Sequence, residues 1–100
     1  VYVGDVVEAN MLALQCSGSD VFNVGTGAET DVSTLFHHLK RATRSRCEEQ
    51  HGQAKKGEQL RSVLDIRKIQ TTLGWKPGVS LEVGLQRTVD FFKKTKAHVA

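Results

Sequence analysis

The sequence predicts an α/β fold, on three observations. Three short runs rich in β-branched and other apolar residues, Val1–Val3, Val21–Val24 and Leu60–Asp65, have the length and composition of strands. Between and after them lie segments whose apolar residues recur at helical spacing. Turn residues separate the two kinds of segment, as at Ser17-Gly18-Ser19-Asp20 and Gly25-Thr26-Gly27.

Each element follows from its own residues. Val1-Tyr2-Val3 reads as the end of a strand, and Asp5 as the N-cap of a helix over Val6–Leu14 with an apolar face of Val7, Met11 and Leu14. After the strand Val21–Val24, Asp31 caps a second helix, whose stripe Val32, Leu35, Phe36, Leu39 is spaced i, i+3, i+4, i+7. His37 and His38 flank that stripe. Neighbours on a helix point about 100° apart, so the two cannot share one metal ion, and both are expected at the surface. Cys47 to Glu58 is polar and irregular, punctuated by Gly52 and Gly57. Asp65 caps a short helix carrying Ile66, Ile69 and Leu73, and Gly74 is placed to end it in the left-handed conformation. Trp75 and Pro77 form a packed connection. Ser80 caps the last helix, with Glu82 in its first turn and Leu85, Val89 and Phe92 on its buried side. A sheet of about three short strands rarely stands alone, so pairing with further strands is expected. The absence of an initiator Met points the same way, to a chain cut from something longer.

Composition narrows the function classes. One hundred residues, 39% hydrophobic and 25% charged, make one small domain or a piece of a larger one. No apolar run approaches the roughly 20 residues that cross a membrane, and the start does not have the form of a signal peptide. Cys16 and Cys47 have neither CxxC spacing nor paired histidines, which argues against zinc and for two reduced thiols in the cytoplasm. The net charge of +3 is spread over Lys40, Arg41, Arg44 and Arg46, then Lys55 and Lys56, then Lys93, Lys94 and Lys96. Aromatic residues are not interleaved with these, so solvated helix faces explain them better than a nucleic-acid surface.

The turn after Val24 has the outline of a dinucleotide-binding loop. Such a loop needs three glycines, and here Gly25 and Gly27 are followed by Thr30 at the third position. Asp31 also puts a carboxylate at the helix start where a phosphate would rest. The turn alone does not make a cofactor site.

The order of the pieces does resemble a known family. "VYVGDVVEANMLAL", "VFNVGTGAETDVSTLFHHL" and "KKGEQLRSVLDIRKIQTTLGWKPGVSLEVGLQRTVDFF" look like the C-terminal part of the NAD-dependent epimerase/dehydratase family, the extended short-chain dehydrogenases, and most like its UDP-glucose 4-epimerase-like members. The resemblance runs from Val1 to about Lys94. It implies residues 1–100 as a single partial domain: the last strands of a Rossmann-type sheet plus a small substrate-binding helical region, incomplete without its N-terminal part.

The resemblance also implies what the chain does and lacks. Family chemistry uses NAD and a Tyr-x-x-x-Lys pair, yet the one tyrosine, Tyr2, is followed four residues on by Val6, and no NAD fingerprint is present. The implied role is therefore to bind a nucleotide-diphosphate sugar, with no catalytic residue, no metal and no cofactor of its own. NAD belongs to the complete family enzyme. The family's Arg-x-Gly-Asp loop reads here Lys55-Lys56-Gly57-Glu58, followed by Arg61. Arg61 would grip the diphosphate through its guanidinium fork, Lys55 would add charge without the fork, and Glu58 would accept from a ribose hydroxyl. Tyr2 and Asp5 fall in the family's (Tyr/His)-Val-x-Asp stretch, with Asp5 as a cap. Asn23 either serves the site or ties down the glycine turn. Two functions follow: a substrate-binding epimerase or dehydratase fragment whose partner is the missing N-terminal Rossmann portion, or a stand-alone binding or assembly module derived from it. Exposed strand edges would favour self-association in either case.

Overall fold

The computed structural model describes residues 1–50, 52 and 62–99, and of residues 96–99 the backbone alone. It contains four helices among these residues: α1 Val3–Leu14, α2 Val32–Thr43, α3 Arg67–Leu73 and α4 Leu81–Val99. None of them is long and apolar enough to cross a membrane. The chain divides into two compact units, Val1–Glu29 with Val63–Leu81, and Thr30–Ser62 with Glu82–Ala100.

No strand occurs among the described residues, which corrects the α/β expectation for the chain by itself. Val21–Val24 and residues 62–66 are extended or irregular but form no ladder. β-branched residues favour an extended backbone, whereas a strand exists only when a neighbour takes up its hydrogen bonds. Other groups meet some of those bonds here. Val21 N donates to its neighbour Asp20 Oδ1 at 2.7 Å, the Val21 carbonyl accepts from Lys68 Nζ at 2.9 Å, and the Asp65 carbonyl accepts from Asn23 Nδ2 at 3.3 Å. The first strand segment is displaced outright, because α1 begins at Val3.

The first unit is built around Trp75 and Ile69, each only 1% exposed, with Ala9 and Ile66 completing the core. Leu12, Phe22, Val24 and Leu73 pack around it. Asp5 does not cap α1. Tyr2 holds the cap position, and its carbonyl accepts from Asp5 N and Val6 N. Asp5 is instead buried at 4% exposure. Its backbone carbonyl accepts the Trp75 indole N–H at 2.9 Å, and its carboxylate accepts Val79 N at 3.1 Å. This reverses the expected face of α1: Val7, Met11 and Leu14 are exposed, Leu14 to 79%, while Asp5, Ala9 and Leu12 turn inward. α3 follows expectation in part. Ile66 and not Asp65 holds its N-cap position, although Asp65 Oδ1, one residue further out, accepts Arg67 N at 3.0 Å. Gly74 ends the helix at φ 69° as expected, its N–H returning to the Gln70 carbonyl.

In the second unit Asp31 caps α2 as the sequence predicts, accepting Thr34 N at 2.7 Å, and that bond holds its carboxyl below the usual carboxylate range. Leu35, Phe36 and Leu39 are half-buried, but Val32 is exposed. His37 is exposed, and the half-buried His38 lies 3.4 Å from an Arg41 nitrogen. On α4 Val89 is buried and Leu85 half-buried, whereas Phe92 lies in the open, edge-on to Phe91. The apolar face predicted for α4 therefore stops at Val89.

The Asp5 contacts make a stability prediction. Asp5→Ala leaves the Val79 N–H without its acceptor and should cost about 1–3 kcal/mol, read as a lower urea midpoint with an unchanged slope. Asp5→Asn keeps an oxygen acceptor and should cost less. Equal losses in the two variants would show that this bond is not the source.

Candidate functional site

The glycine turn and the segment leading into α3 lie against each other in the first unit. Gly27 has φ 74°, and a Cβ built on it would come within 3.3 Å of the Ile66 side chain. A Cβ on Gly25 would meet Leu64 at 3.6 Å. Thr26 closes the turn locally, its hydroxyl bonded to both the N–H and the carbonyl of Ala28 at 3.1 Å. Asn23 ties the segment at Asp65 and not the turn itself.

Between the two runs an open groove of about 540 Å³, lined by Thr26, Gly27, Val63–Arg67 and Gln70, is the candidate site. The charged residues among its described lining, Asp65 and Arg67, form a forked ion pair that sequence reasoning missed. Arg67 Nε lies 3.0 Å from both oxygens of Asp65, and Nη2 lies 2.6 Å from Oδ2. The pair belongs to the helix start: Asp65 takes the first N–H of α3, which leaves the next-but-one side chain within reach of the same carboxylate. The Asp-x-Arg spacing was the available signal. A second pair, Lys68 Nζ to Asp20 Oδ1 at 2.6 Å, joins α3 to the turn after α1, and the same ammonium lies 5.2 Å from the Phe22 ring centre. That bond holds the Asp20 carboxyl below its ordinary range.

Among the described lining residues the two charges cancel. The groove offers hydrogen-bond acceptors at Asp65 and polar groups at Thr26 and Gln70, which suit hydroxyl or N–H donors better than a phosphate. The three residues expected to grip the nucleotide, Lys55, Glu58 and Arg61, lie outside the described residues. The chain re-enters the described structure at Ser62, directly before the Val63–Ile66 wall of the groove.

The pair has a pH consequence. The Arg67 guanidinium lowers the Asp65 carboxyl from 3.8 to about 2. A depressed carboxylate adds stability that is present above its unfolded value and is lost as pH falls through the folded one. That contribution should therefore be largely present above about pH 4, fall as pH drops from there through 2, and be gone only below 2. Carbon-detected NMR titration should find the Asp65 midpoint near 2 and return it toward 3.8 in Arg67→Ala. A midpoint unchanged by that substitution would show that Arg67 is not the cause.

No family model matches the chain. Individual proteins do. A putative UDP-glucose 4-epimerase of Methanocaldococcus jannaschii is 42% identical over 93 residues, which is 93% of this chain and 30% of that protein. A UDP-glucose 4-epimerase of Mycolicibacterium smegmatis is 37% identical over 94 residues, again 93% of this chain and 30% of that protein. The crystal structure of a UDP-glucose 4-epimerase with UDP-glucose from Thermotoga maritima superposes with a TM-score of 0.88 at 47% identity, covering 95% of this chain and 31% of that one. The chain thus spans less than a third of the length of these relatives. Over that span it belongs with the C-terminal part of the NAD-dependent epimerase/dehydratase family, with UDP-glucose 4-epimerases as its relatives.

Proposed function

We propose that the chain forms the nucleotide-sugar-binding C-terminal portion of an NAD-dependent sugar epimerase or dehydratase of the cytoplasm, and is not catalytic alone. The observation that carries this reading is the match to the Thermotoga maritima structure, whose crystals hold UDP-glucose, over 95% of this chain but 31% of that one. The sequence adds the second half of the argument, since it contains neither a Tyr-x-x-x-Lys pair nor a three-glycine fingerprint. The glycine turn supports the same division of labour. Ile66 packs where a pyrophosphate would have to approach Gly27, so the turn does not fit a dinucleotide, and no step of the chemistry runs through it.

In this reading Arg61 grips the diphosphate, Lys55 adds charge and Glu58 accepts from the ribose. The uncovered stripe Val3, Val7, Met11 and Leu14 on α1, spaced i, i+4, i+8, i+11, is the surface that the N-terminal Rossmann portion covers.

A chimera tests the assignment. The chain is grafted in place of the matching segment of the Thermotoga maritima protein, and UDP affinity is measured by calorimetry. A charge-assisted contact of about 1.5–3 kcal/mol makes Arg61→Ala weaken UDP by roughly ten- to a hundredfold. The urea midpoint should hardly move, and Arg61→Lys should recover part of the affinity, since a point charge cannot reproduce the fork. Unchanged affinity with a large loss of stability would make Arg61 a structural residue.

The chain by itself should self-associate through the α1 stripe. Light scattering of the wild-type chain should give a mass above the monomer, lowered by Met11→Glu. A strictly monomeric wild-type chain at high concentration would overturn that use of the stripe.

A further inference from the structure

The C-terminal end of α2 carries a feature that the proposed function does not use. His37, Lys40, Arg41, Arg44 and Ser45 line a hollow of about 380 Å³. Three of these five residues are permanent cations within two turns of helix. Their spacings, i, i+3 and i, i+4, place like charges side by side, which disfavours an isolated helix. Among the described residues no carboxylate pairs with Lys40, Arg41 or Arg44. The nearby Glu49 is engaged by Ser33, which donates to it at 2.7 Å, and lies 3.6 Å from His37 Nε2.

The helix end does not need these charges to close itself. The Arg41 carbonyl accepts Arg44 N at 3.3 Å, the Lys40 carbonyl accepts Ser45 N at 3.2 Å, and the Thr43 hydroxyl donates to Leu39 O at 2.7 Å. Arg44 itself stands at φ 55°, and it is the one residue other than glycine with a positive φ among those described. Glycine is the residue this position favours, because any side chain in the left-handed region is disfavoured. An arginine therefore occupies a site where removing the side chain would relieve the backbone, and it stands beside two other cations with no carboxylate paired to it among the described residues.

We propose that this end of α2 is a binding site for a small multivalent oxyanion of the diphosphate class, held by Lys40, Arg41 and Arg44 with the Ser45 hydroxyl. The volume lies in the range of small-ligand pockets, and arginines at two corners supply planar forks that fit phosphoryl oxygens.

The test uses the whole chain and pyrophosphate as the probe. Amide shifts from Lys40 to Arg46 should move and saturate in a nitrogen–proton NMR titration with millimolar or lower pyrophosphate. Potassium chloride at matched ionic strength should not reproduce them. Arg44→Gly should weaken this binding by about tenfold or more, with a urea midpoint that is unchanged or raised. Lys40→Gln, on a regular helical position, should weaken it as well and carries the test independently of the left-handed position. Shifts that fail to saturate, that chloride reproduces, or that keep their affinity in both variants would overturn the site.

Discussion

The first unit depends on one indole. Trp75 is almost wholly enclosed, and its N–H is spent on the backbone carbonyl of Asp5 across 2.9 Å. A buried tryptophan removes about 150–250 Å² from water, worth about 4–6 kcal/mol at 25 cal/mol per Å² as an upper estimate. For a small domain whose entire stability is about 5–15 kcal/mol, that is a governing contribution. It is available only if the indole nitrogen finds an acceptor inside. Asp5 provides that acceptor from its backbone and at the same time holds Val79 N through its side chain. One residue of α1 therefore fixes both ends of the connection that follows α3.

This constraint decides the orientation of α1 against its own composition. The larger side chains, Val7, Met11 and Leu14, lie along one stripe, and an amphipathic reading buries them. The indole is met by the other side, where Asp5 and the small Ala9 allow close approach and Leu12 closes the edge. Nothing in the local periodicity signals that choice, because it rests on a bond between positions 5 and 75. The signals that were legible are those whose cause is local. Asp31 capping α2, Asp65 meeting the start of α3 and Gly74 ending it all depend on residues within a few positions of each other.

The extended segments mark the same boundary between local and distant causes. Their residues specify an extended backbone correctly, and the glycine turn sits where a crowded crossing needs it, under Ile66 and Leu64. Ladder pairing is a property of two strands, and among the described residues the second strand is missing for both. Their polar groups turn to Asp20, Asn23 and Lys68. The groove of the first unit was not legible in the sequence: its Asp65–Arg67 pair is brought together only by the geometry of the helix start, while Lys55, Glu58 and Arg61 lie outside the described residues.

The distribution of paired and unpaired cations then limits where a phosphate can be met. In the first unit Arg67 is matched to Asp65 and Lys68 to Asp20, so the guanidinium and the ammonium of α3 each already face a carboxylate at 2.6 Å. An incoming diphosphate would have to displace that carboxylate and then tolerate it nearby, a like-charge contact of the kind that recognition sites avoid. Among the described residues no carboxylate is paired with Lys40, Arg41 or Arg44 of the second unit. The groove of the first unit is thus lined, among the described residues, by a matched pair of charges, and the end of α2 in the second unit by three cations with no carboxylate partner.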